Sequence, residues 1–279
     1  MNQFSDPCAE PGRTQEDHAV WREYLRHVGP GAYHLEWKLP AYSEGISLLA
    51  PTPEKIPSLS EINSWLEKIN WRAAYHSGFV PAHEYATLQA RRIFPIARHI
   101  RRLRDFSHSA APDFIHDVFG HLPMLFEPDY GNLIEAWAIK RAAVAGLAED
   151  SDVSKVQDQL IAAMEQSERD EALIHTLTKT LERAQAAACK AGSRAGRLER
   201  FYTWAIEFGL MSRGASDLKI MGAAVLSSFG EMTRVTEGQV RFSDFQLGTL
   251  DRPVNYTIYQ DEMFKVSSFQ KYAEILDRI

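Results

Sequence analysis

The sequence has little cysteine, no long hydrophobic run and no extended cluster of positive charge. Two cysteines, Cys8 and Cys189, lie far apart in 279 residues, which argues against a disulfide framework and favours a reducing, cytoplasmic location. No apolar run approaches the roughly 18 residues of a membrane helix, and the polar N-terminus carries no signal-peptide core. The net charge of -6 argues against a nucleic-acid partner. We therefore expect a protein that binds neither membranes nor nucleic acid.

The composition is that of a globular protein. Hydrophobic residues make up 45% of the chain and charged residues 24%, and the length suits one sizeable core. Residues 1–17 contain Pro7, Pro11 and Gly12 and few apolar side chains, so we predict a disordered leader there. Residues 18–279 are predicted to form a single, mostly α-helical domain with a few short β-strands.

Local signals give several element boundaries. A short helix is predicted over 18–28, and a loop over 40–58, which contains four prolines. Ser58 and Glu61 have the spacing of a capping box. A helix is therefore predicted to follow over 62–69, with its apolar residues on one face.

The rest of the chain alternates helical and strand-like patterns. A long helix is predicted from about 85 to 104, with a kink or a split into a strand-like and a helical half at Pro95. Residues 140–195 are rich in Ala, Glu, Gln, Lys and Arg and are predicted to be helical. The segments 239–242 and 255–266 alternate apolar and polar residues, which predicts short strands in a small ribbon.

Two histidines five residues apart, His116 and His121, lie in a short apolar segment. Pro112 suits the first turn of a helix, Gly120 suits a left-handed exit, and Pro123 prevents continuation. A continuous α-helix would turn two side chains at this spacing about 140° apart. We therefore expect the helix to end near Gly120, so that the backbone brings His121 back towards His116.

A distant carboxylate supplies the third part of a possible metal site. Glu207 lies in an otherwise apolar run, and a carboxylate is costly to bury unless it is paired or bound to a metal. Two imidazoles and one carboxylate form the facial triad of non-haem Fe(II) oxygenases. The alternatives are packed or surface histidines, an ion pair between Glu207 and an arginine, and a zinc hydrolase. A zinc hydrolase would need a glutamate after the first histidine, where this chain has Asp117.

These residues resemble a known family, the pterin-dependent aromatic amino acid hydroxylases. The resemblance covers roughly residues 50–270 and includes the segment from Ile56 and Pro57 to Arg101, which is similar to the family's cofactor region. The blocks that carry the resemblance are Pro112, Asp113 and His116; Gly120, His121, Leu122 and Pro123; Glu207, Phe208, Gly209 and Leu210; Gly222 with residues 226–231; and Asn255, Tyr256 and Thr257.

The resemblance implies a bacterial-type catalytic domain that uses Fe(II), a tetrahydropterin (tetrahydrobiopterin or a related compound) and O₂. The implied reaction is monooxygenation of the ring of a free aromatic amino acid, with L-phenylalanine to tyrosine as the first choice. Tryptophan hydroxylation and meta-hydroxylation of phenylalanine are the alternatives within the family. Pterin-recycling enzymes are the implied partners, and we expect a monomer or a homodimer. Outside this class, the chain could be a zinc hydrolase or a non-catalytic interaction protein.

The resemblance also implies roles for individual residues. The implied iron ligands, which are also the catalytic residues, are His116, His121 and Glu207. The implied substrate-binding residues are Arg101, which would bind the carboxylate, and Ser109, Pro112, Thr203, Phe208 and Ser227. The implied pterin-binding residues are Gly78, Phe79, Val80, Tyr85, which would stack on the ring, and Asp117, in place of the family's glutamate. Tyr256 is expected at the rim of the pocket.

The sequence also departs from the family pattern. A family glutamate is absent next to Pro112, so that Arg101 loses its usual partner, although Asp105 or Asp113 could replace it. Thr203 stands where a large aromatic residue usually lies in the substrate pocket. The gap between His121 and Glu207 is unusually long, and we expect its helices, about 140–195, to cover the site or to form a dimer surface.

Overall fold

The computed structural model describes residues 10–28, 35–166, 168–214 and 217–279. They form one mostly α-helical domain, as predicted. None of the helices in these ranges combines the length and apolar character that a bilayer span requires.

Helices account for most of the described chain. The α-helices are α1 (Gln15–Val28), α2 (Pro40–Leu49), α3 (Leu59–Leu66), α4 (Ala82–Gln89), α5 (Leu122–Leu125), α6 (Pro128–Ala142), α7 (Ala148–Glu165), α8 (Glu171–Ala191), α9 (Arg194–Phe201), α10 (Ala223–Leu226), α11 (Phe229–Thr236) and α12 (Phe269–Asp277). Two π-helices cover His116–His121 and Tyr202–Glu207. Short 3₁₀ turns cover Leu35–Trp37, Glu67–Ile69, Leu103–Asp105 and Leu247–Asp251.

The strands form two small sheets. They are β1 (Arg72–His76), β2 (Ile93–Ala97), β3 (Leu210–Ser212), β4 (Leu218–Ile220), β5 (Arg241–Asp244) and β6 (Glu262–Val266). β1 and β2 pair in parallel, and the other four have the order β4-β3-β6-β5. β5 and β6 pair in parallel, so the two predicted tail strands are neighbours but do not form a hairpin ribbon.

The capping box at Ser58 is confirmed, whereas the loop predicted over 40–58 is partly wrong. Ser58 accepts a hydrogen bond from Glu61 N, and the Glu61 side chain accepts one from Ser58 N. Pro40, which we took as a loop residue, occupies the first turn of α2. Proline suits that position because its missing N–H would have no partner within the helix.

The continuous helix predicted over 85–104 does not form, but the alternative of a split at Pro95 into a helical and a strand-like part is partly confirmed. α4 ends at Gln89, and Arg92 adopts a positive φ of 55°. The chain then enters β2, where Pro95 lies opposite Ala74 of β1. Because β2 pairs with one neighbour only, a residue without an N–H is tolerated there.

The N-terminal segment is ordered earlier than we expected. α1 begins at Gln15, inside the predicted leader 1–17. Glu10 accepts a hydrogen bond from Leu59 N at 2.7 Å, and Arg13 donates one to Arg98 O at 2.7 Å. These two contacts tie 10–14 to the domain, while residues 1–9 lie outside the described ranges.

The core surrounds the first π-helix. Phe119 of this helix is buried and contacts the rings of Trp21 and Tyr24 of α1 at centroid distances of 4.9 and 4.8 Å. The helices predicted within 140–195 are mainly α7 and α8, which pack against each other as a hairpin. Arg169, in the turn between them, forms an ion pair with Asp105 at 2.6 Å. The hairpin is therefore fastened to the segment that follows Arg101.

Candidate active site

The two histidines lie at the ends of a π-helix, and not on either side of a helix break. Gly120 does not adopt a positive φ, and His121 keeps a helical conformation with φ -94° and ψ -50°. The chain continues directly into α5, with Pro123 in its first turn. The predicted left-handed exit at Gly120 is therefore wrong. A π-helix bonds each residue to the one five positions on, which places His116 and His121 on one face without a break.

Close packing explains the glycine at position 120. A Cβ atom there would lie 2.6 Å from the carbonyl oxygen of Ala223. α10, which begins at Ala223, thus packs directly on the backbone of the first π-helix. Gly120 is therefore needed because two backbones approach each other closely, and not because the chain turns there.

Glu207 reaches the histidines from the last position of the second π-helix. Its Oε2 lies 3.3 Å from His116 Nε2, and its Oε1 lies 3.2 Å from His121 Nε2. The two Nε2 atoms are 3.1 Å apart. The structure therefore brings the three predicted ligands together, although no local pattern connects Glu207 to the histidines.

These distances fit a shared metal ion. Donor atoms that each lie about 2.1 Å from one ion, at right angles to each other, are about 3 Å apart. Glu207 Oε2 is buried without a hydrogen-bond partner, and burial of such an atom is costly unless a cation faces it. Among the described residues, these three are the group whose donor atoms could hold a metal.

Hydroxyl groups orient both imidazoles. Ser227 Oγ lies 2.9 Å from His116 Nδ1, and Tyr130 Oη lies 3.0 Å from His121 Nδ1. If each Nδ1–H donates to its hydroxyl oxygen, each Nε2 keeps a free lone pair that points to the shared centre. Metal-binding histidines are usually held in this way by a hydrogen bond from the other nitrogen.

The pKa values of the ligands favour the protonation states that bind a cation. Burial lowers the pKa of His116 to about 4, so that its imidazole is neutral at pH 7. Burial acts to raise the pKa of Glu207, but electrostatic interactions with the two imidazoles and a hydrogen bond with His121 outweigh it and hold that pKa below its usual value. A neutral imidazole and an ionised carboxylate are the forms that bind metals.

Arg101 forms an ion pair with Asp113. Its Nε and Nη2 donate to the two Asp113 carboxylate oxygens at 3.1 and 2.6 Å, and its Nη1 donates to Ser227 O at 2.9 Å. The arginine is only 5% exposed. Of the two predicted replacements for the missing glutamate, Asp113 therefore fills the role, while Asp105 pairs with Arg169.

A cavity of about 410 Å³ opens beside the triad. The predicted residues that line it are Gly78, Phe79, Val80, Tyr85, Arg101, Ser109, Pro112, His116, Asp117, Thr203, Glu207, Phe208 and Ser227, and Tyr256 lines it as well. His121 is fully buried and lies outside the lining set. The cavity therefore brings the predicted substrate and pterin residues to one space.

Several of these residues have specific contacts. Ser109 Oγ donates to Ala111 O at 2.7 Å, and Gly78 has a positive φ of 72° that favours glycine. The Tyr85 ring meets the ring of Tyr202 edge-on at 5.9 Å. Asp117 Oδ2 accepts a hydrogen bond from Ala97 N at 2.7 Å, and burial raises the pKa of its carboxyl group well above the usual range. Asp117, the residue that follows His116, is thus hydrogen-bonded to β2. This does not favour the zinc hydrolase, which needs a glutamate at that position.

Sequence reasoning missed Tyr130 and Tyr202. Tyr130, on α6, contacts His121, while Tyr202 lines the cavity and contacts Trp137 at 4.3 Å between ring centroids. No spacing pattern connects Tyr130 to the histidine, since the contact depends on how α6 packs. Tyr202 lies in the same apolar run as Glu207, five residues before it, which is the same spacing as that of the histidines.

Comparison with known proteins decides the family. The sequence model described as biopterin-dependent aromatic amino acid hydroxylase matches residues 14–163 and 184–278. The chain belongs to this family. The recognition made from the sequence is therefore confirmed, as is the class of enzyme, a pterin-dependent aromatic amino acid monooxygenase.

Individual members of the family are distant in sequence but similar in fold. The chain is 26% identical to phenylalanine-4-hydroxylase of Vibrio cholerae, over 86% of this chain and 68% of that protein. It is 23% identical to phenylalanine-4-hydroxylase of Mesorhizobium japonicum, over 92% of this chain and 77% of that protein. The crystal structure of Chromobacterium violaceum phenylalanine hydroxylase with iron(III) and 7,8-dihydrobiopterin matches with a TM-score of 0.72 at 21% identity, over 99% of this chain and 86% of that chain. Because the identity to this crystal structure is only 21%, the match is evidence of a shared fold.

Proposed function

We propose that this protein hydroxylates the ring of a free aromatic amino acid, with L-phenylalanine to tyrosine as the first choice. The observation that carries the proposal is that the ligand atoms of His116, His121 and Glu207 lie about 3 Å from one another. They lie beside a cavity that Arg101 also lines. The named relatives that act on phenylalanine support the choice of substrate.

His116, His121 and Glu207 would hold Fe(II) on one side and leave the other side open to the cavity. When bound, iron and a tetrahydropterin would together supply the activation of O₂ that ring hydroxylation needs. The protein's own contribution is to fix the imidazoles through Ser227 and Tyr130 and to keep Glu207 ionised.

Arg101 would bind the substrate carboxylate. Three of its five N–H groups are used by Asp113 and Ser227, so two remain for a ligand in the cavity. A charge-assisted pair with a planar guanidinium that is already fixed fits a carboxylate well. Ser109, which lines the same cavity as Arg101, would contact the backbone of the amino acid.

The ring would lie between Arg101 and the metal. Pro112 and Phe208 present apolar surface to the cavity, and Phe208 directly follows the ligand Glu207. Thr203 lines the same space with a short side chain. These contacts would place a ring carbon near the open side of the metal.

The opposite wall would hold the pterin. Gly78, Phe79 and Val80 form a loop after β1 that lines the cavity, next to Tyr85 of α4 and Asp117 of the π-helix. Backbone groups of the loop would hydrogen-bond to the pterin edge, and Tyr85 would contact the ring face. A pterin consumed in turnover requires a separate recycling enzyme, which we propose as a partner. We also propose that the protein acts in the cytoplasm, as a monomer or a homodimer.

The test is incubation of the protein with Fe(II), a tetrahydropterin and O₂, with phenylalanine, tyrosine or tryptophan added separately. We expect substrate-dependent O₂ uptake and, with phenylalanine, tyrosine as the product by mass and ring position. Product that is hydroxylated at the meta position, or turnover of tryptophan only, would replace the first choice by the corresponding alternative. No uptake with any of the three amino acids would contradict the proposal.

A further inference from the structure

The segment that carries Arg101 has little regular structure. In residues 98–106, all of which the structure describes, Leu103–Asp105 form a 3₁₀ turn, and the rest is neither helix nor strand. From inside the domain, Arg101 is held by the Asp113 carboxylate and by Ser227 O. A segment with few backbone hydrogen bonds of its own opens easily unless other parts of the fold hold it.

The turn of the α7–α8 hairpin contacts this segment on both sides of Arg101. The three residues concerned, which we call the hairpin tip, are Glu165, Gln166 and Arg169. Arg169 Nη2 donates to Asp105 Oδ1 at 2.6 Å, and Arg104 Nη2 donates to Gln166 O at 2.6 Å. On the other side, His99 Nε2 lies 3.5 Å from Glu165 Oε1. The hairpin tip therefore holds the segment from outside, both before and after Arg101.

The ion pair between Arg169 and Asp105 is the best ordered of these contacts. Arg169 Nε donates to Met164 O at 2.6 Å, so its guanidinium is already oriented where it meets Asp105. Both partners are partly buried, whereas His99 and Glu165 are exposed. Solvent and salt screen a partly buried pair less than an exposed one. We therefore expect Arg169 to contribute more than the other residues of the hairpin tip.

Asp105 also acts electrostatically on Arg101. Burial acts to lower the pKa of Arg101, but Asp113 raises it through its charge and a hydrogen bond, and the charge of Asp105 adds to that effect. Without Arg169, the remaining ion pair of Asp105 would be the one with Arg104 at 3.4 Å. Its negative charge would then repel a carboxylate that approaches Arg101.

We infer that Arg169 is a positioning residue for substrate binding, which holds Asp105 and offsets its charge so that Arg101 can bind a carboxylate. The inference rests on the proposed function, in which Arg101 binds that group. Arg169 does not line the cavity, so it acts without contact with the substrate. It also lies within 164–183, which the family model leaves unmatched. This support is therefore not part of the pattern by which the family is recognised.

The test compares two ligands that differ in the carboxylate. L-Phenylalanine has this group, and L-phenylalaninamide has a neutral amide in its place. Calorimetry with the full chain, Fe(II) and no O₂ gives the Kd of each ligand. The carboxylate preference is the Kd of the amide divided by the Kd of the amino acid, and it is measured for the wild type and for each variant.

Arg197 provides the matched control. Its ion pair with Asp251, at 2.7 Å, resembles that of Arg169, and the two arginine side chains are 29% and 27% exposed. Arg197 does not line the cavity either. The variants are therefore Arg169→Gln, Arg169→Lys and Arg197→Gln.

We expect Arg169→Gln to lower the carboxylate preference by about three- to tenfold, because Asp105 loses the cation that offsets its charge. Arg169→Lys should keep most of the preference, since the positive charge remains. Arg197→Gln should keep it within about twofold of the wild-type value. Arg169→Met, with a side chain of similar length to glutamine, replaces Arg169→Gln if that variant does not fold.

Three results would overturn the inference. They are a carboxylate preference that the neutral variant leaves unchanged, which includes an equal weakening of both ligands; the same loss in Arg197→Gln; and a loss in Arg169→Lys as large as that in the neutral variant.

The outcome is separable from that of the proposed function. Turnover of phenylalanine together with an unchanged preference in Arg169→Gln would reject the positioning role alone. A preference that falls in Arg169→Gln and is kept in Arg169→Lys would uphold the role even without O₂ uptake.

Discussion

Single hydroxyl groups fix the direction of each imidazole in the triad. Ser227 contacts His116 and Tyr130 contacts His121 through the nitrogen that faces away from the shared centre. Each hydroxyl therefore affects metal binding without contact with the metal.

Ser227→Ala should weaken Fe(II) binding about 10- to 100-fold, because His116 loses the partner that sets its orientation. The adjacent Ser228 is the matched control. It caps α11 and donates to Ser107 O, so Ser228→Ala should cost about 1 kcal/mol of unfolding free energy and leave the iron affinity unchanged. Competition with a calibrated chelator measures both affinities, and equal losses in the two variants would contradict the role of Ser227.

Glu231 is a buried carboxyl group with an unusual titration. It is 1% exposed, its Oε2 has no hydrogen-bond partner, and burial raises its pKa to about 7. A pKa raised in the folded state gives stability that is complete below the unfolded value near 4.5. That stability is lost as the pH rises through 7.

Glu231→Gln removes this titration but keeps an oxygen for the hydrogen bond from Gln260 N. Relative to the wild type, the variant should gain about 2 to 3 kcal/mol of unfolding free energy between pH 4.5 and pH 8. Urea unfolding of the metal-free proteins across this range measures the difference. A difference that does not change with pH would show that the carboxyl group does not titrate as described.

At the scale of elements, the two π-helices are what bring the ligands into position. Each ends at a ligand, His121 in one and Glu207 in the other. The sequence predicted a broken helix at the histidines, because a continuous α-helix cannot align residues five apart. The spacing itself was informative, since five residues is the hydrogen-bond step of a π-helix.

Gly120→Ala should lower the unfolding free energy by about 1 to 3 kcal/mol, since the added Cβ would meet the Ala223 carbonyl oxygen at 2.6 Å. Gly248 has nothing within 4 Å of such an atom, so Gly248→Ala is the control. Thermal unfolding of both variants measures the effect. Equal stability of the two variants would mean that α10 does not press on the π-helix.

Sequence patterns predicted secondary structure well where it depends only on residues that are close together in the chain. The capping box at Ser58 forms as expected, because a serine and a glutamate three residues apart complete it without help from the rest of the fold. Pro40 was misread as a loop residue, whereas it lies in the first turn of a helix. At Pro95 the alternatives of a kinked helix and a strand were both left open, and the strand forms. Which of these occurs depends on packing with distant segments.

At the scale of the whole molecule, the site depends on segments that are far apart in the chain. The ligand types were predictable, as was the choice of Asp113 as a possible partner of Arg101, because buried charges need partners. The position of Tyr130 and the contribution of α7 to the cavity were not, since they arise from how helices pack. Binding of one ion should therefore join the two π-helices and stabilise the entire domain.

Anaerobic titration of the metal-free protein with Fe(II), for the wild type and Glu207→Gln, tests whether His116, His121 and Glu207 bind one shared iron ion. Glu44→Gln, at an exposed glutamate of α2 that does not line the cavity, is the control. We expect one ion per chain in the wild type and the control, and an affinity lower by more than about 100-fold in Glu207→Gln. Equal affinity in all three proteins, or no stoichiometric iron in the wild type, would contradict a shared iron site.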